Sequence, residues 1–296
     1  MLTKPARRRG FTLIEILVVI SLIAVLAALS VGALFRVRAA QQTSNTEGTL
    51  GKLDTLLMAR WSAVLVNAKT PPDGVIAFCD GDKERAVSLW TYAVLKNEFP
   101  VSYAELTAIT NIGTTLQPRA VFKKVQTTAP SASLTEQSAA LFYAAIMDTG
   151  TRGTANSLEG LQQQVATTTN GLSVFNDNWG IPIVFIRDAS NAEIQAAPHS
   201  KPSAKGSYNP LDPRLLLQGW TKESTAASAI GLPGNKFQIV NFIPTLVSAG
   251  PDKVFSNQAL ANPTAPDFST FLGGAAGDSS NDNLLSYRRR EGTRRD

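Results

Sequence analysis

The side chains most often recruited for catalysis or metal binding are scarce in this chain. Its 296 residues include one cysteine, Cys79, and one histidine, His199. A single Cys excludes an intrachain disulfide and a Cys-based zinc site, and a single His excludes a two-His metal site. Any catalysis would have to rest on carboxylates, Lys, Ser or Tyr, and no constellation of these stands out, so an enzyme is not expected. Gly273-Gly274-Ala275-Ala276-Gly277 lacks the Lys-Ser/Thr that completes a phosphate loop. Asp80-Gly81-Asp82 is too short for a calcium loop and reads as a turn. Cys79, beside Phe78, reads as a small buried hydrophobe, and His199, between Pro-containing turns, as exposed. The carboxylate whose position demands an explanation is Glu15.

Glu15 is the only charge between Phe11 and Phe35, and Ile16 to Phe35 is a run of twenty uncharged residues without Pro. At about 1.5 Å per residue that run covers roughly 30 Å as a helix, the thickness of a bilayer core. Lys4, Arg7, Arg8 and Arg9 precede it, which should keep the N-terminus cytoplasmic and send the body across the membrane. A secretory signal would have a shorter apolar core with a small-residue site after it. A plain anchor explains the length and the arginines, but not an acid that costs about 2.5–3.5 kcal/mol at a helix centre and less near its end. Glu15 either reaches up to the interface or has a partner.

Arg9-Gly10-Phe11-Thr12-Leu13-Ile14-Glu15 resembles the signature of type IV prepilins and type II secretion pseudopilins. The resemblance implies cleavage after Gly10 by a prepilin peptidase and N-methylation of Phe11. It also places Glu15 at the family's glutamate position, where it meets the terminal amine of a neighbouring subunit. Asp177-Asn178-Trp179-Gly180-Ile181-Pro182 resembles the D-x-W-G-x-P entry into a strand of the major pseudopilin. Gly180 would permit the tight turn and Trp179 would cap the core beneath it. Ser248-Ala249-Gly250-Pro251-Asp252 is similar to the family's S-x-G-x-D-G loop, and the stretch from Gly277-Asp278 through Asp282 to Tyr287 to its acidic ending. By that resemblance Asp252, Asp278 and Asp282 are the candidate calcium ligands. The chain departs from the pattern with Lys253 in place of Gly, Asn281 and Asn283 flanking Asp282, and a long loop between Asp252 and Asp278. It is also enlarged, mainly between Pro71 and Gly171.

The elements that must position these residues follow from periodicity. Leu50, Leu53, Leu56, Leu57, Trp61, Val64 and Leu65 recur at three- and four-residue steps, and no Pro interrupts from Phe11 to Thr70. One long helix over 11–67 is expected, apolar in its first half and amphipathic in its second, with Gly48 and Gly51 marking either a bend or plain exposed positions. Pro71-Pro72-Asp73-Gly74 stops it. Helices are expected at 84–96, 102–109, 136–147 and 157–166, a surface loop at 126–133, and an irregular connection at 196–213. From 173 onward the pattern turns to short strands, the best at 181–186, 238–246 and 284–287. The expected class is α+β and pilin-like: a long N-terminal helix packed on a globular head with extra helices and a small antiparallel sheet. Its parts are a leader (1–10), a transmembrane half of the spine (11–35), an amphipathic half (36–67), a mostly helical insertion (68–172), a β-rich head (173–288) and an Arg-rich tail (289–296).

Composition agrees with a folded body: 44% hydrophobic and 17% charged residues are too apolar and too sparsely charged for a disordered chain. The net charge of +5 is a property of the ends. Five arginines crowd the last nine positions, and residues 11–287 carry 19 basic and 21 acidic residues. A nucleic-acid partner is therefore not expected. The expected function is that of a structural subunit of a periplasmic pseudopilus for protein export. It would be anchored in the inner membrane through 11–35, with a prepilin peptidase, an assembly platform, other copies and related pseudopilins as partners. A type IV pilus or DNA-uptake filament subunit is the alternative, and a membrane-anchored periplasmic binding module or enzyme a further one.

Overall fold

The structure is a computed structural model that describes residues 13–148, 161–189, 194, 209–232, 237, 241–255 and 284–290. It falls into two compact units, 1–44 and 45–296. The helix α1 (Leu13–Ala68) runs unbroken for 56 residues, matching the expected span. Gly48 is exposed within it and has open space around its Cα.

In the second unit Leu50, Leu53, Leu57, Trp61 and Val64 of α1 are buried. This is the stripe read from sequence, and each such side chain contributes about 1.5–3 kcal/mol on leaving water. After the Pro71-Pro72 stop come α2 (Asp73–Phe78) and α3 (Lys83–Glu98), the latter started by the Asp82 side chain, which accepts from Arg85 N at 3.0 Å. Next are α4 (Ala120–Thr128) and α5 (Leu134–Met147), whose N-terminus is a capping box between Ser133 and Glu136. A hairpin pairs β1 (Val165–Thr167) with β2 (Ser173–Phe175), and an antiparallel sheet in the order β3-β4-β5 joins β3 (Val184–Ala189), β4 (Ile243–Ser248) and β5 (Leu284–Leu285). A further helix, α6 (Glu223–Ile230), precedes β4.

Two hydrophobic clusters form. The larger joins the α1 stripe to α5 and the three-stranded sheet, with Phe142 stacked on Phe185 at 5.3 Å between ring centres. The smaller joins Val75 and Cys79 of the α2 region to Leu89 of α3, Ala226 and Ile230 of α6, and Phe242. Burial pushes the Cys79 thiol up to about 11, so it behaves as the inert hydrophobe expected. The exposed edge of β3 is closed by α5: Ser138 Oγ donates to Phe185 O at 2.6 Å and accepts from Phe185 N at 3.1 Å. Beside it, Arg187 of β3 holds Glu105 bidentately at 2.8 and 2.9 Å and donates to Phe99 O at 3.2 Å. Burial acts to raise the Glu105 carboxyl, but the Arg187 charge and hydrogen bonds outweigh it and hold the group below its usual range. The Lys96 ammonium, pushed down by burial, reaches the Ile230 carbonyl at the end of α6.

Several local expectations change. Residues 102–109 give only a 3₁₀ turn, Tyr103–Glu105, because Glu105 turns inward to Val101 N and Arg187 instead of continuing a helix. Of the expected helix 157–166, residues 157–160 lie outside the described residues; the rest is a 3₁₀ turn, Gln162–Gln164, followed by β1, where pairing with β2 overrides local propensity. Residues 126–128 extend α4 rather than opening a loop. The last strand stops at Leu285, because the Ser286 side chain, not its backbone, accepts from Leu246 N at 3.0 Å. The helix α6 was not expected, although Glu223 in its first turn, its Ala-rich body and Gly231 in the left-handed stop position all announce it.

Gly113 and Gly180 share the same left-handed φ of +83° but differ in surroundings. A Cβ at Gly113 would drive into the backbone carbonyl of Gly74, whereas one at Gly180 meets open space. Gly180→Ala should cost about 1–2 kcal/mol from φ alone. Gly113→Ala should cost clearly more in urea unfolding; equal losses would mean that the Gly74–Gly113 approach is slack.

Candidate functional site

The first unit presents α1 with its apolar side chains in the open. Leu13 is 84% exposed, Leu34 72% and Val37 66%. Among the described residues α1 is the one helix long and apolar enough to cross a membrane. Its two hydroxyls in the apolar stretch fold back on the helix: Ser21 Oγ donates to Leu17 O and Ser30 Oγ to Leu26 O, both at 2.8 Å. The backbone satisfies itself, as hydrocarbon requires. Glu15 stands exposed in the first turn, one carboxylate at the head of this surface. Gly10 and Phe11 lie outside the described residues.

In the second unit the amphipathic half of α1 is tied to the head by polar contacts at Thr46, Asp54 and Arg60, the last donating to Glu98 Oε2 of α3 at 2.8 Å. Thr46 is fully buried, and its Oγ1 accepts from Asn178 N at 3.1 Å. Asp54 accepts from Ser286 Oγ at 2.8 Å and from Arg290 Nε and Nη2 at 2.9 and 2.8 Å, while Arg290 Nη2 also donates to Pro244 O at 2.6 Å. Of the Arg-rich tail, residues 291–296 lie outside the described residues. Arg290 is clasped to α1 because a buried carboxylate on the helix needs a cation, and Arg288 lies over the Tyr287 ring at 5.8 Å.

The two head motifs meet. Asp177 Oδ1 accepts from Trp179 N at 3.0 Å and Ile181 N at 2.9 Å, closing the turn at Gly180, and Ser248 Oγ donates to Oδ2 at 2.7 Å. The D-x-W-G-x-P turn is therefore bonded to the end of β4 on one side and, through Asn178, to α1 on the other. Burial raises the Asp177 carboxyl, and the bonds from Ser248, Ile181, Trp179 and Gly180 offset this only in part. Trp179 is half-buried and belongs to neither hydrophobic cluster, so the turn is held by the Asp177 carboxylate rather than by an indole cap. Thr46, Asp54 and Ser138 were not singled out from sequence. Each is a small polar residue on a helix face, and the partner that gives it a role is remote in the chain.

Of the three aspartates implied as calcium ligands, Asp278 and Asp282 lie outside the described residues. Asp252 sits on an exposed turn, where Oδ1 accepts from Val254 N at 2.9 Å. Lys253, standing where the family has Gly, adopts a left-handed φ of +64°. Among the described residues no group of three or more His, Cys, Asp or Glu side chains is placed to hold a metal.

Two substitutions test these ties. Asp54→Ala removes the carboxylate that Arg290 and Ser286 share, leaves the Arg290 charge uncompensated there, and should destabilise the second unit by about 3 kcal/mol, read by chemical denaturation. Asp177→Asn keeps an acceptor for Trp179 and Ile181. Because the native carboxyl of Asp177 is raised, the folded state holds that proton more tightly than the unfolded chain. Wild-type stability relative to Asp177→Asn should therefore fall as pH rises from the ordinary carboxylate value of 3.8 through the raised value, and level off above it. A difference that runs the opposite way would show that the carboxylate is preferred in the folded state.

The comparisons with known proteins bear on the N-terminal segment alone. Residues 5–31 match the family model described as the prokaryotic N-terminal methylation motif. No curated protein and no solved structure matches the chain. The matched segment contains Gly10, Phe11 and Glu15 and runs into the apolar half of α1, an arrangement consistent with membrane anchoring. The motif implies processing by a prepilin peptidase and assembly with other pilin-like subunits. Residues 5–31 thus carry the prokaryotic N-terminal methylation motif, which supports a type IV prepilin-like or pseudopilin character for this segment.

Proposed function

We propose that the chain is a structural, non-catalytic subunit of a periplasmic pseudopilus of the type II secretion kind. The observation that carries this reading is the exposed apolar surface of α1 from Leu13 to Val37, headed by a single carboxylate, Glu15. Such a surface is stable in only two surroundings, a bilayer and the interior of a helical bundle of like helices. Cleavage after Gly10 creates a cationic amine on Phe11, about 6 Å along the helix from Glu15. Between adjacent subunits in an apolar medium these two opposite charges attract one another strongly. Addition of a subunit thus exchanges lipid contacts for helix contacts and brings the two charges together, and the head is carried outward with its helix. The missing cysteine pair favours a pseudopilin over a pilin closed by a C-terminal disulfide.

Protein recovered from cells with an active prepilin peptidase should begin at N-methyl-Phe11 by mass spectrometry; retention of residues 1–10 overturns the reading. Glu15→Ala should abolish filament assembly while leaving the chain membrane-inserted, because it strands the amine at a cost of about 3–5 kcal/mol per contact. Filaments that assemble normally from this variant would remove the carboxylate from the mechanism.

A further inference from the structure

The second unit holds a groove of about 460 Å³ between the N-terminus of α5, the β1–β2 hairpin and the Gly180 turn. It takes no part in the assembly surface. Its polar lining comes from Ser133, Thr135 and Glu136 on one side, and from Thr167, Thr168 and Thr169 on the other; Asn176 lies at its wall, and Pro182 and Phe255 supply apolar surface. Hydroxyls dominate. Among the described residues, no protein group pairs with the side chains of Thr135, Thr167 or Thr169, whereas Thr168 Oγ1 accepts from Leu172 N at 3.2 Å.

Glu136 is the one charged lining residue, and its orientation is set. Oε2 accepts from Ser133 N, Ser133 Oγ and Asn170 Nδ2 at 3.0–3.1 Å, and Oε1 from Asn170 Nδ2 at 3.1 Å. Three donor contacts crowd Oε2, whereas Oε1 takes only one arm of the shared Asn170 Nδ2 contact, so Oε1 is the oxygen open to another donor. At the wall, Asn176 Nδ2 donates to Gly180 O at 3.3 Å while its Oδ1 is buried without a partner.

The chemistry selects a ligand class. An anion is disfavoured, because the carboxylate already sits at the positive end of α5 and, among the described residues, no basic side chain lines the groove. A wholly apolar ligand would bury several hydroxyls unpaired. A ligand with many hydroxyls, each able to donate and accept, and with a C–H face to set against Phe255 and Pro182, meets every requirement. We propose that this groove binds a neutral carbohydrate, with Glu136 Oε1 as acceptor for a sugar hydroxyl and Thr135, Thr167 and Thr169 as reversible partners around it.

The test uses the full chain in a zwitterionic detergent free of sugar headgroups. Neutral tetrasaccharides of glucose, mannose and N-acetylglucosamine are titrated and followed by saturation-transfer NMR and calorimetry. At least one should bind, and Thr167→Val/Thr169→Val, which alters two exposed positions, should weaken it by about tenfold or more with the unfolding midpoint unchanged. Glu136→Gln, which can keep the capping box, should weaken it as well. Absence of binding by all three sugars at millimolar concentration overturns the proposal. So does binding indifferent to both variants, or displacement of the sugar by an unrelated peptide but not by excess sugar.

Discussion

A carboxylate on α1, Asp54, accepts hydrogen bonds from Ser286 and Arg290, 232 and 236 residues further along the chain. Closing so long a loop carries an entropic cost that local interactions do not recover, and an acid buried on a helix is unfavourable unless a cation reaches it. The two demands meet in one contact. The amphipathic half of α1 enters the head as a strand of core and leaves it clasped by the chain's own C-terminal segment. The same contact decides where the sheet ends: Ser286, turned towards Asp54, takes Leu246 N on its hydroxyl, and β5 stops at Leu285.

The Asp177 turn works by a similar economy of polar groups. One carboxylate gathers two backbone N–H groups and the Ser248 hydroxyl, while the next residue reaches Thr46 on α1. A turn, a strand end and a helix are thereby held in register without much apolar contact from the turn itself. Cores built on aromatic stacking, such as Phe142 on Phe185, supply most of the favourable free energy. The buried carboxylates supply little net stabilisation and much geometric selection, since only one arrangement leaves each of them paired.

The character of the chain changes along the same helix. Upstream it presents exposed apolar side chains and one acid; downstream its stripe from Leu50 to Val64 is buried in the core of the second unit. The helices α2, α3 and α6 share a second hydrophobic cluster, and α5 belongs to the main one. These helices are thus part of the fold's packing, and the N-terminus of α5 frames the polar groove with the hairpin and the Gly180 turn.

The sequence by its own periodicity and composition settled the long helix, its change of character and the stop at Pro71-Pro72, because these depend on neighbours within a few residues, and the N-terminal methylation motif was legible as a family resemblance. The turn at Gly180 was legible for the same reason. The partners of Asp54, Thr46, Ser138 and Glu105 were not legible, since each is found only when remote segments pack together. Tertiary pairing also turned residues 165–167 into a strand, kept Tyr103–Glu105 to a single turn and drew Arg290 out of solvent. In each case a buried polar group took the partner that packing offered, and local propensity, worth only tenths of a kcal/mol per residue, gave way.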